Sequence, residues 1–291
     1  MKKRIKKEVP VAAKKYEKQL MAEINEDRED HGKRPFSDDD NEPPKSKIVT
    51  ESKTDSDCGV FHKGDHKKQF AYEAHTACDK NGYILDVEVT AGNVHDSVAF
   101  ELYYDRLIER FPQIQFAVMD AGYKTPAIAR KVLESNRIPV LPYKRPSGKD
   151  GYFKPSEYVY DEYFDCVICT ENQILKYSTT DREGYKEFKS CPQICEKCPS
   201  LAQCTHSKGH QKTVLKHIWM DCMELVEDIR HTIGMRQLYD KRKETIERCF
   251  ADAKEKHGMR YTLVRSLAQV SKWVRLKFAA MNLKKYALHV A

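Results

Sequence analysis

The sequence predicts an α/β fold in which helices flank a mixed sheet and a cysteine-rich insertion interrupts it. Short apolar runs typical of strands alternate with helical stretches up to about residue 143, and helical periodicity returns from about residue 236. Between these parts, six of the ten cysteines crowd into residues 166–204. We therefore divide the chain into a lead-in (1–46), the first part of a core (47–143), an insertion (144–235) and C-terminal helices that complete the core (236–291).

The composition favours a soluble protein with an anionic partner. Hydrophobic residues make up 40% of the 291 positions, which supports a packed core, and the net charge is +7. We find neither a signal peptide nor an apolar run that could span a bilayer. We therefore expect a cytoplasmic protein that does not bind membranes.

The lead-in predicts a basic helix and a linker rather than a domain. Apolar residues recur at helical spacing between Val9 and Ile24, after a run of lysines and an arginine. Residues 37–44 are polar, acidic and proline-containing, as linkers are. Because the helix has no apolar partner within the lead-in, we expect it to pack on the main domain or to be the remnant of a longer N-terminal region.

The elements of the core follow from local signals taken in chain order. Strands are expected at 47–52, 69–78 and 83–90, with a loop at 59–68 and a hairpin turn at Asp79–Gly82. A helix over 97–111 leads to a strand at 116–120, and a helix over 125–136 leads to a strand at 138–143. Further helices are expected at about 237–257 and 267–287. A three-stranded meander and two crossover strands would form the mixed sheet.

Three carboxylates from distant parts of the chain indicate a metal site. Asp55 follows the first core strand, Asp120 ends the fourth, and Glu247 lies on the late helix, where regular helical geometry puts it on one stripe with Tyr239, Lys243 and Lys254. Acids that converge above a sheet repel each other unless divalent cations lie between them, and two Mg²⁺ ions can activate a nucleophile on a phosphodiester. The alternatives are that Asp120 only caps a turn and that Glu247 belongs to a plain pattern of helical ion pairs.

Four segments carry a family resemblance. They are Thr54-Asp55-Ser56-Asp57, Thr90-Ala-Gly-Asn-Val-His-Asp96, Val118-Met-Asp120-Ala-Gly-Tyr123 and the Glu247-x6-Lys254 helix. Together they resemble the DDE transposases of bacterial insertion sequences, over roughly residues 47–290. The late helix is similar to the family signature Tyr-x2-Arg-x3-Glu-x6-Lys, although Asp240 occupies the tyrosine position and Lys243 the arginine position. The resemblance implies an RNase H-like core.

The resemblance also implies roles for individual residues. Asp55, Asp120 and Glu247 would bind Mg²⁺ or Mn²⁺, with Asp57 as the alternative first acid. Asp96 would support the metal site from outside or cap a helix. DNA contacts would come from basic residues beside the acids and after the fifth strand, namely Arg242, Lys243, Lys254, Lys144 and Arg145.

The cysteine cluster predicts a structural zinc site. Cys166-x2-Cys169 is followed by Cys191-x3-Cys195-x2-Cys198-x5-Cys204, and paired cysteines separated by an insertion are typical of tetrahedral Zn²⁺ sites. The resemblance favours Cys169, Cys195, Cys198 and Cys204 as ligands, with Cys166 as a substitute for Cys169. The alternative is a set of buried free thiols.

The sequence thus predicts a DNA transposase that cleaves and joins DNA at insertion-sequence ends. Its partners would be transposon ends and target DNA, bound by a homodimer at the bacterial nucleoid. The short lead-in leaves no room for an N-terminal DNA-binding domain, so we expect a truncated copy. Two alternative functions are a catalytically silent DNA-binding remnant and a Mg²⁺-dependent nuclease of the same fold.

Overall fold

The computed structural model describes residues 2–8, 14–37, 46–63, 67–145 and 150–290, which form a mixed α/β structure. The chain divides into two compact units. Unit 1 comprises Met1–Lys14, Glu42–Pro142 and Leu225–Ala291, and unit 2 comprises Lys15–Asn41 and Tyr143–Glu224. Of the helices in the described ranges, none has the length and apolar content that a membrane crossing requires.

The strands of unit 1 form three separate ladders. In chain order they are β1 (Lys2–Glu8), β2 (Ser46–Ser52), β3 (Gly59–Lys63), β4 (Lys67–Cys78), β5 (Ile84–Ala91), β6 (Phe116–Val118) and β7 (Ile138–Val140). β1 pairs antiparallel with β2, β3–β4–β5 is an antiparallel meander, and β6 pairs parallel with β7. The predicted single mixed sheet is therefore not formed within the described residues: the first predicted strand pairs with the N-terminal strand, and β6 and β7 pair only with each other.

Unit 2 contains a single five-stranded meander. Its strands are β8 (Val159–Asp161), β9 (Cys166–Ile168), β10 (Ile174–Thr180), β11 (Tyr185–Lys189) and β12 (Thr213–His217). They pair antiparallel in sequence order.

Helices connect and cover these strands. In chain order they are α1 (Lys14–Asp30), α2 (Asp96–Arg110), α3 (Pro126–Glu134), α4 (Pro192–Cys195), α5 (Leu201–Cys204), α6 (Met220–His231), α7 (Met235–Asp240), α8 (Ile246–Lys256) and α9 (Leu267–Val290). α3 begins where its capping signal predicts, and α2 begins one residue earlier than predicted. The Thr125 hydroxyl accepts a hydrogen bond from the amide of Ile128, with Pro126 in the first turn of α3.

The core of unit 1 forms where α8 and α9 pack on β5. Val87 and Val89 alternate along β5 and therefore share one face. They meet Ala253 of α8 and a stripe of α9 at four-residue spacing, formed by Val270, Val274 and Phe278. Leu283 is 69% exposed, because five residues place it about 140° around the helix from Phe278.

The predicted helix over 237–257 is broken. α7 ends at Asp240, a 3₁₀ turn covers Lys241–Lys243, and α8 begins at Ile246. Thr245 has non-helical angles, with φ −107° and ψ −95°. Three consecutive cations repel each other in this turn, and Thr245 is a weak helix former. The predicted stripe of Tyr239, Lys243, Glu247 and Lys254 is therefore wrong, because its two halves lie on different helical segments.

The predicted loop over 59–68 contains a strand. Residues Gly59–Lys63 form β3 and pair antiparallel with β4, with Phe61 opposite Gln69. Glycine, histidine and lysine lower the local strand signal, and the pairing with β4 overrides it.

Residues of the lead-in take part in both units. β1 pairs with β2 in unit 1, and α1 packs in unit 2, where Ile24 is fully buried. The Arg28 guanidinium donates to the Thr180 carbonyl oxygen at 2.7 Å, and the Trp219 indole donates to a carboxylate oxygen of Glu23 at 2.6 Å. The helix packs within unit 2, with the residues of the predicted insertion, and not in unit 1, which contains the core strands on which it was expected to pack. The predicted linker at 37–44 lies outside the described residues except for Ser37.

A charged network joins α1 to the meander of unit 2. Asp165 accepts a hydrogen bond from the Tyr160 hydroxyl at 2.5 Å and lies 2.6 Å from Nε2 of His31. Nζ of Lys186 lies 3.4 Å from Asp165 and 2.5 Å from Asp27. Burial of Asp165 acts to raise its pKa, but the tyrosine hydroxyl and the cationic neighbours outweigh it and hold the pKa below its usual value.

Candidate functional site

The loop after β6 presents the second predicted acid. Asp120 has extended backbone angles, and its carboxylate caps the 3₁₀ turn Ala121–Tyr123 by accepting the amide of Ala121. Its side chain is 60% exposed, and Nη2 of Arg242 lies 3.5 Å from Oδ2. Asp120 therefore serves as a turn cap and still offers carboxylate oxygens to solvent.

The first predicted acid is held by an unforeseen tyrosine. The Tyr72 hydroxyl donates toward both oxygens of Asp55, at 2.9 and 2.8 Å, and the amide of Ser266 lies 3.4 Å from Oδ1. Burial and the neighbouring Asp55 carboxylate raise the pKa of Tyr72, which keeps its hydroxyl protonated as a donor. Asp57 has a different partner, since its Oδ2 accepts the amide of Leu267 at 3.0 Å and caps α9.

The third predicted acid lies at the start of α8. Glu247 is the second residue of this helix, and its side chain is exposed. On the buried side of the same helix, Cys249 donates its thiol to the carbonyl oxygen of Gly82 at 3.1 Å. This packing turns Glu247 toward solvent at the N-terminal end of α8, where a carboxylate is electrostatically favoured.

All three predicted acids belong to unit 1, but they do not form a closed cluster. Within the described residues, no set of three ligand atoms that includes Asp55, Asp120 or Glu247 lies within 4.8 Å of one another. Carboxylates without a cation between them repel each other. The contact of Arg242 with Asp120, at 3.5 Å, links the second acid to the late helical region.

The predicted DNA contacts differ in their surroundings. Arg242 is mostly covered, and its guanidinium donates to the Tyr239 hydroxyl at 3.0 Å. Lys243 and Lys254 are exposed in unit 1, with Nζ of Lys254 6.0 Å from the centre of the Phe250 ring. Lys144 and Arg145 are exposed near the start of the second segment of unit 2.

A cluster that the sequence analysis did not identify lies beside the Asp120 loop. Glu73 and His75 share one face of β4, since they are two residues apart. Nδ1 of His75 lies 3.2 Å from Oδ1 of Asp96 and 3.3 Å from the Tyr123 hydroxyl, and Nε2 lies 2.9 Å from Oγ1 of Thr90. Ligand atoms of Glu73, His75 and Asp96 lie within 4.8 Å of one another, the one such trio in the described chain.

Asp96 has a different role from the helix cap considered for it. The N-cap of α2 is His95, whose ring accepts the amide of Ser97 at 3.2 Å. Asp96 points instead to His75, and this contact lowers the pKa of its carboxyl group. Gly122 lies so close to Oδ2 of Asp96 that a β-carbon would overlap it. The alternation of Glu73 and His75 along a strand was the available sequence signal.

Five cysteines of unit 2 line one small cavity. Its volume is about 30 Å³, and the cysteines are Cys169, Cys191, Cys195, Cys198 and Cys204. This space is comparable with that of one water molecule or ion. Cys166 is buried in β9 and is not part of the lining. No three of the sulfur atoms in the described residues lie within 4.8 Å of one another, so the thiols surround the cavity without forming a closed tetrahedron.

Comparison with known families gives one match. Residues 168–287 match the family model described as "Transposase DDE domain". The matched segment contains the cavity-lining cysteines, Glu247 and Lys254, and it excludes Asp55 and Asp120. Neither the curated proteins nor the solved structures give a match. Residues 168–287, less than half of the chain, are therefore similar to the transposase DDE domain, in agreement with the resemblance to DDE transposases found in the sequence.

Proposed function

We propose that this protein cleaves and joins DNA as a metal-dependent transposase, with Asp55, Asp120 and Glu247 as the acids. The match of residues 168–287 to the transposase DDE domain carries this proposal, because phosphodiester cleavage and strand transfer are the activities of that family. The cleavage would occur at insertion-sequence ends and the joining at target DNA. Both reactions would take place on the DNA of the bacterial nucleoid.

The chemistry of the acids fits hard divalent cations. Asp120 and Glu247 are exposed, and Asp55 accepts from Tyr72, which orients it without adding a charge. Mg²⁺ or Mn²⁺ held by these oxygens would favour deprotonation of an attacking water or 3′-hydroxyl and stabilise the leaving oxygen. Arg242 and the exposed Lys243 and Lys254 would bind DNA phosphates, since cations near the acids offset the charge of the backbone.

The cysteine cavity supports a structural zinc site in unit 2. We assign the ligands to Cys169, Cys195, Cys198 and Cys204, all of which line the cavity. Cys191 lines it as well, so it replaces Cys166 as the fifth candidate. Zinc would stabilise the short helices α4 and α5, which bury little apolar surface of their own.

We propose that the chain acts on two DNA ends as a homodimer. The C-terminal half of α9 leaves apolar side chains exposed, among them Leu283 and Leu288 at 69% and 74%. Sedimentation with and without DNA ends would test this assembly. A chain that remains monomeric on paired ends would contradict it.

The decisive experiment is a cleavage and joining assay with the full chain and labelled DNA ends in Mg²⁺. Asp120→Asn should abolish product, whereas Asp150→Asn, an exposed acid of unit 2, should leave it unchanged. Joined product from pre-cut ends separates a transposase from a nuclease that uses water only. Absence of both cleaved and joined DNA, with DNA binding intact, would instead support a catalytically silent remnant. Specific binding of inverted repeats by this chain would argue against the expected truncation.

A further inference from the structure

The cluster on β4 combines the ligand types of a transition-metal site. Glu73 and Asp96 supply carboxylate oxygens and His75 supplies an imidazole nitrogen. Atoms bound to one such metal at about 2.1 Å lie within about 4.2 Å of each other, and the three ligand atoms of this cluster lie within 4.8 Å of one another. A mixed nitrogen and oxygen set suits Mn²⁺, Fe²⁺ or Zn²⁺ better than Mg²⁺, which prefers oxygen ligands and water.

The partners around His75 point its Nδ1 into the cluster. The His75 side chain is 1% exposed, so its orientation is fixed by packing. Nε2 lies 2.9 Å from the Thr90 hydroxyl, a partner that orients the ring and can hold the proton on Nε2. Nδ1 faces Asp96, 3.2 Å away. A proton on Nδ1 can bridge this pair, and a cation bound by both groups can take the place of that proton.

The charges favour a cation at this position. Glu73 and Asp96 both face the cluster, and His95 and the Tyr123 hydroxyl are its other polar neighbours. Glu73, His95 and Asp96 also line a broad groove, which gives ions access from solvent.

We propose that Glu73, His75 and Asp96 bind one divalent transition-metal cation, such as Mn²⁺, at a site separate from Asp55, Asp120 and Glu247. The cation would hold β4, α2 and the Asp120 loop together, because Asp96 contacts Gly122 and His75 contacts Tyr123. The site thus goes beyond the proposed transposition chemistry and does not depend on it.

Pulsed electron paramagnetic resonance of Mn²⁺ bound to the full chain tests this site. The cysteine cavity is first filled with a single equivalent of Zn²⁺, because thiolates prefer zinc to manganese and excess zinc would also compete for the proposed site. A nitrogen ligand modulates the Mn²⁺ echo, whereas the all-oxygen triad gives no such signal. We expect nitrogen modulation in the wild-type chain and in Asp120→Asn, and its loss in His75→Gln. Mn²⁺ bound without nitrogen modulation, or modulation that persists in His75→Gln, would overturn the proposal.

Affinity measurements provide a second test that does not alter the buried histidine. Glu73→Gln and Asp96→Asn should each weaken Mn²⁺ binding by about tenfold or more, since even indirect partners of metal ligands have effects of that size. Glu109→Gln, an exposed acid of α2, is the matched control and should bind as the wild type does. Circular dichroism without metal verifies that each variant is folded. Unchanged affinity in both folded variants would contradict the site.

Discussion

Gly122 lies against the carboxylate of Asp96, so that residue 122 has no room for a β-carbon. This contact joins the start of α2 to the loop that carries Asp120. We predict that Gly122→Ala displaces the loop, destabilises the protein by about 1–3 kcal/mol and lowers DNA cleavage. Urea denaturation and the cleavage assay measure the two effects. Gly209→Ala is the control, because a β-carbon at residue 209 would lie 3.9 Å from its nearest neighbour, Oγ of Ser207. An equal effect in this variant would refute the contact-based explanation.

The roles of Asp55 and Asp57 can be separated by substitution. We expect Asp55→Ala to abolish cleavage, because Tyr72 holds this carboxylate in a fixed orientation. Asp57→Ala removes the cap of α9 and should cost about 1 kcal/mol of stability while cleavage continues. Thermal denaturation and cleavage assays on both variants measure this. Loss of cleavage in Asp57→Ala, with cleavage retained in Asp55→Ala, would identify Asp57 as the first acid.

Lys254 should contact a DNA phosphate. Its ammonium group is exposed on α8, whereas Lys256 on the same helix pairs with Asp252 at 2.8 Å. We predict that Lys254→Gln lowers the slope of log affinity against log salt by about 1, while Lys256→Gln leaves the slope close to that of the wild type. Fluorescence anisotropy with labelled DNA over a range of salt concentrations measures both. Equal slopes for both variants and the wild type would exclude Lys254 as a contact.

The cysteine cavity should hold about one zinc ion per chain. We predict loss of zinc in Cys195→Ser and in Cys198→Ser, because both side chains line the cavity. Cys166→Ser should retain zinc, since Cys166 lies outside the lining. Elemental analysis of the purified variants provides the measurement. Well under one equivalent of zinc in the wild type would exclude a zinc site. Zinc retained in Cys169→Ser but lost in Cys191→Ser would show that Cys191 is a ligand in place of Cys169.

Asp165 should make the stability of unit 2 depend on pH in the acidic range. Because its folded pKa is lowered, its contribution is present above the unfolded pKa near 4 and is lost as pH falls through the folded pKa. We expect Asp165→Asn to cost about 1 kcal/mol at pH 7 and progressively less below about pH 4. Denaturation curves of both proteins across this range measure the difference. A difference that grows on acidification would contradict the assignment.

Local signals predicted much of the fold. The turn Asp79–Gly82 joins β4 to β5 as expected, with Gly82 at a φ of +76° that few other residues adopt easily. The cap at Thr125 begins α3, and α9 begins at Leu267, where its helical pattern starts. These elements depend on residues that are close in sequence, which explains why the pattern was sufficient.

Long-range pairing could not be read from the same signals. β2 pairs with β1 across more than thirty intervening residues, and β3 forms only because β4 lies beside it. The break before α8 coincides with contacts of Arg242 with Tyr239 and Asp120, which no helical periodicity encodes. The cluster of Glu73, His75 and Asp96 likewise requires a strand and a helix to meet in space.

The packing of α1 in unit 2 has a consequence for synthesis on the ribosome. The helix ends at Asp30, whereas the first strand of its meander starts at Val159, so more than a hundred residues emerge between them. At a synthesis rate of roughly 5 to 20 residues per second, Ile24 stays uncovered for many seconds before the first strand of the meander is made. During this interval the nascent helix exposes the side chain of Ile24, because the strands that bury it have not yet been made.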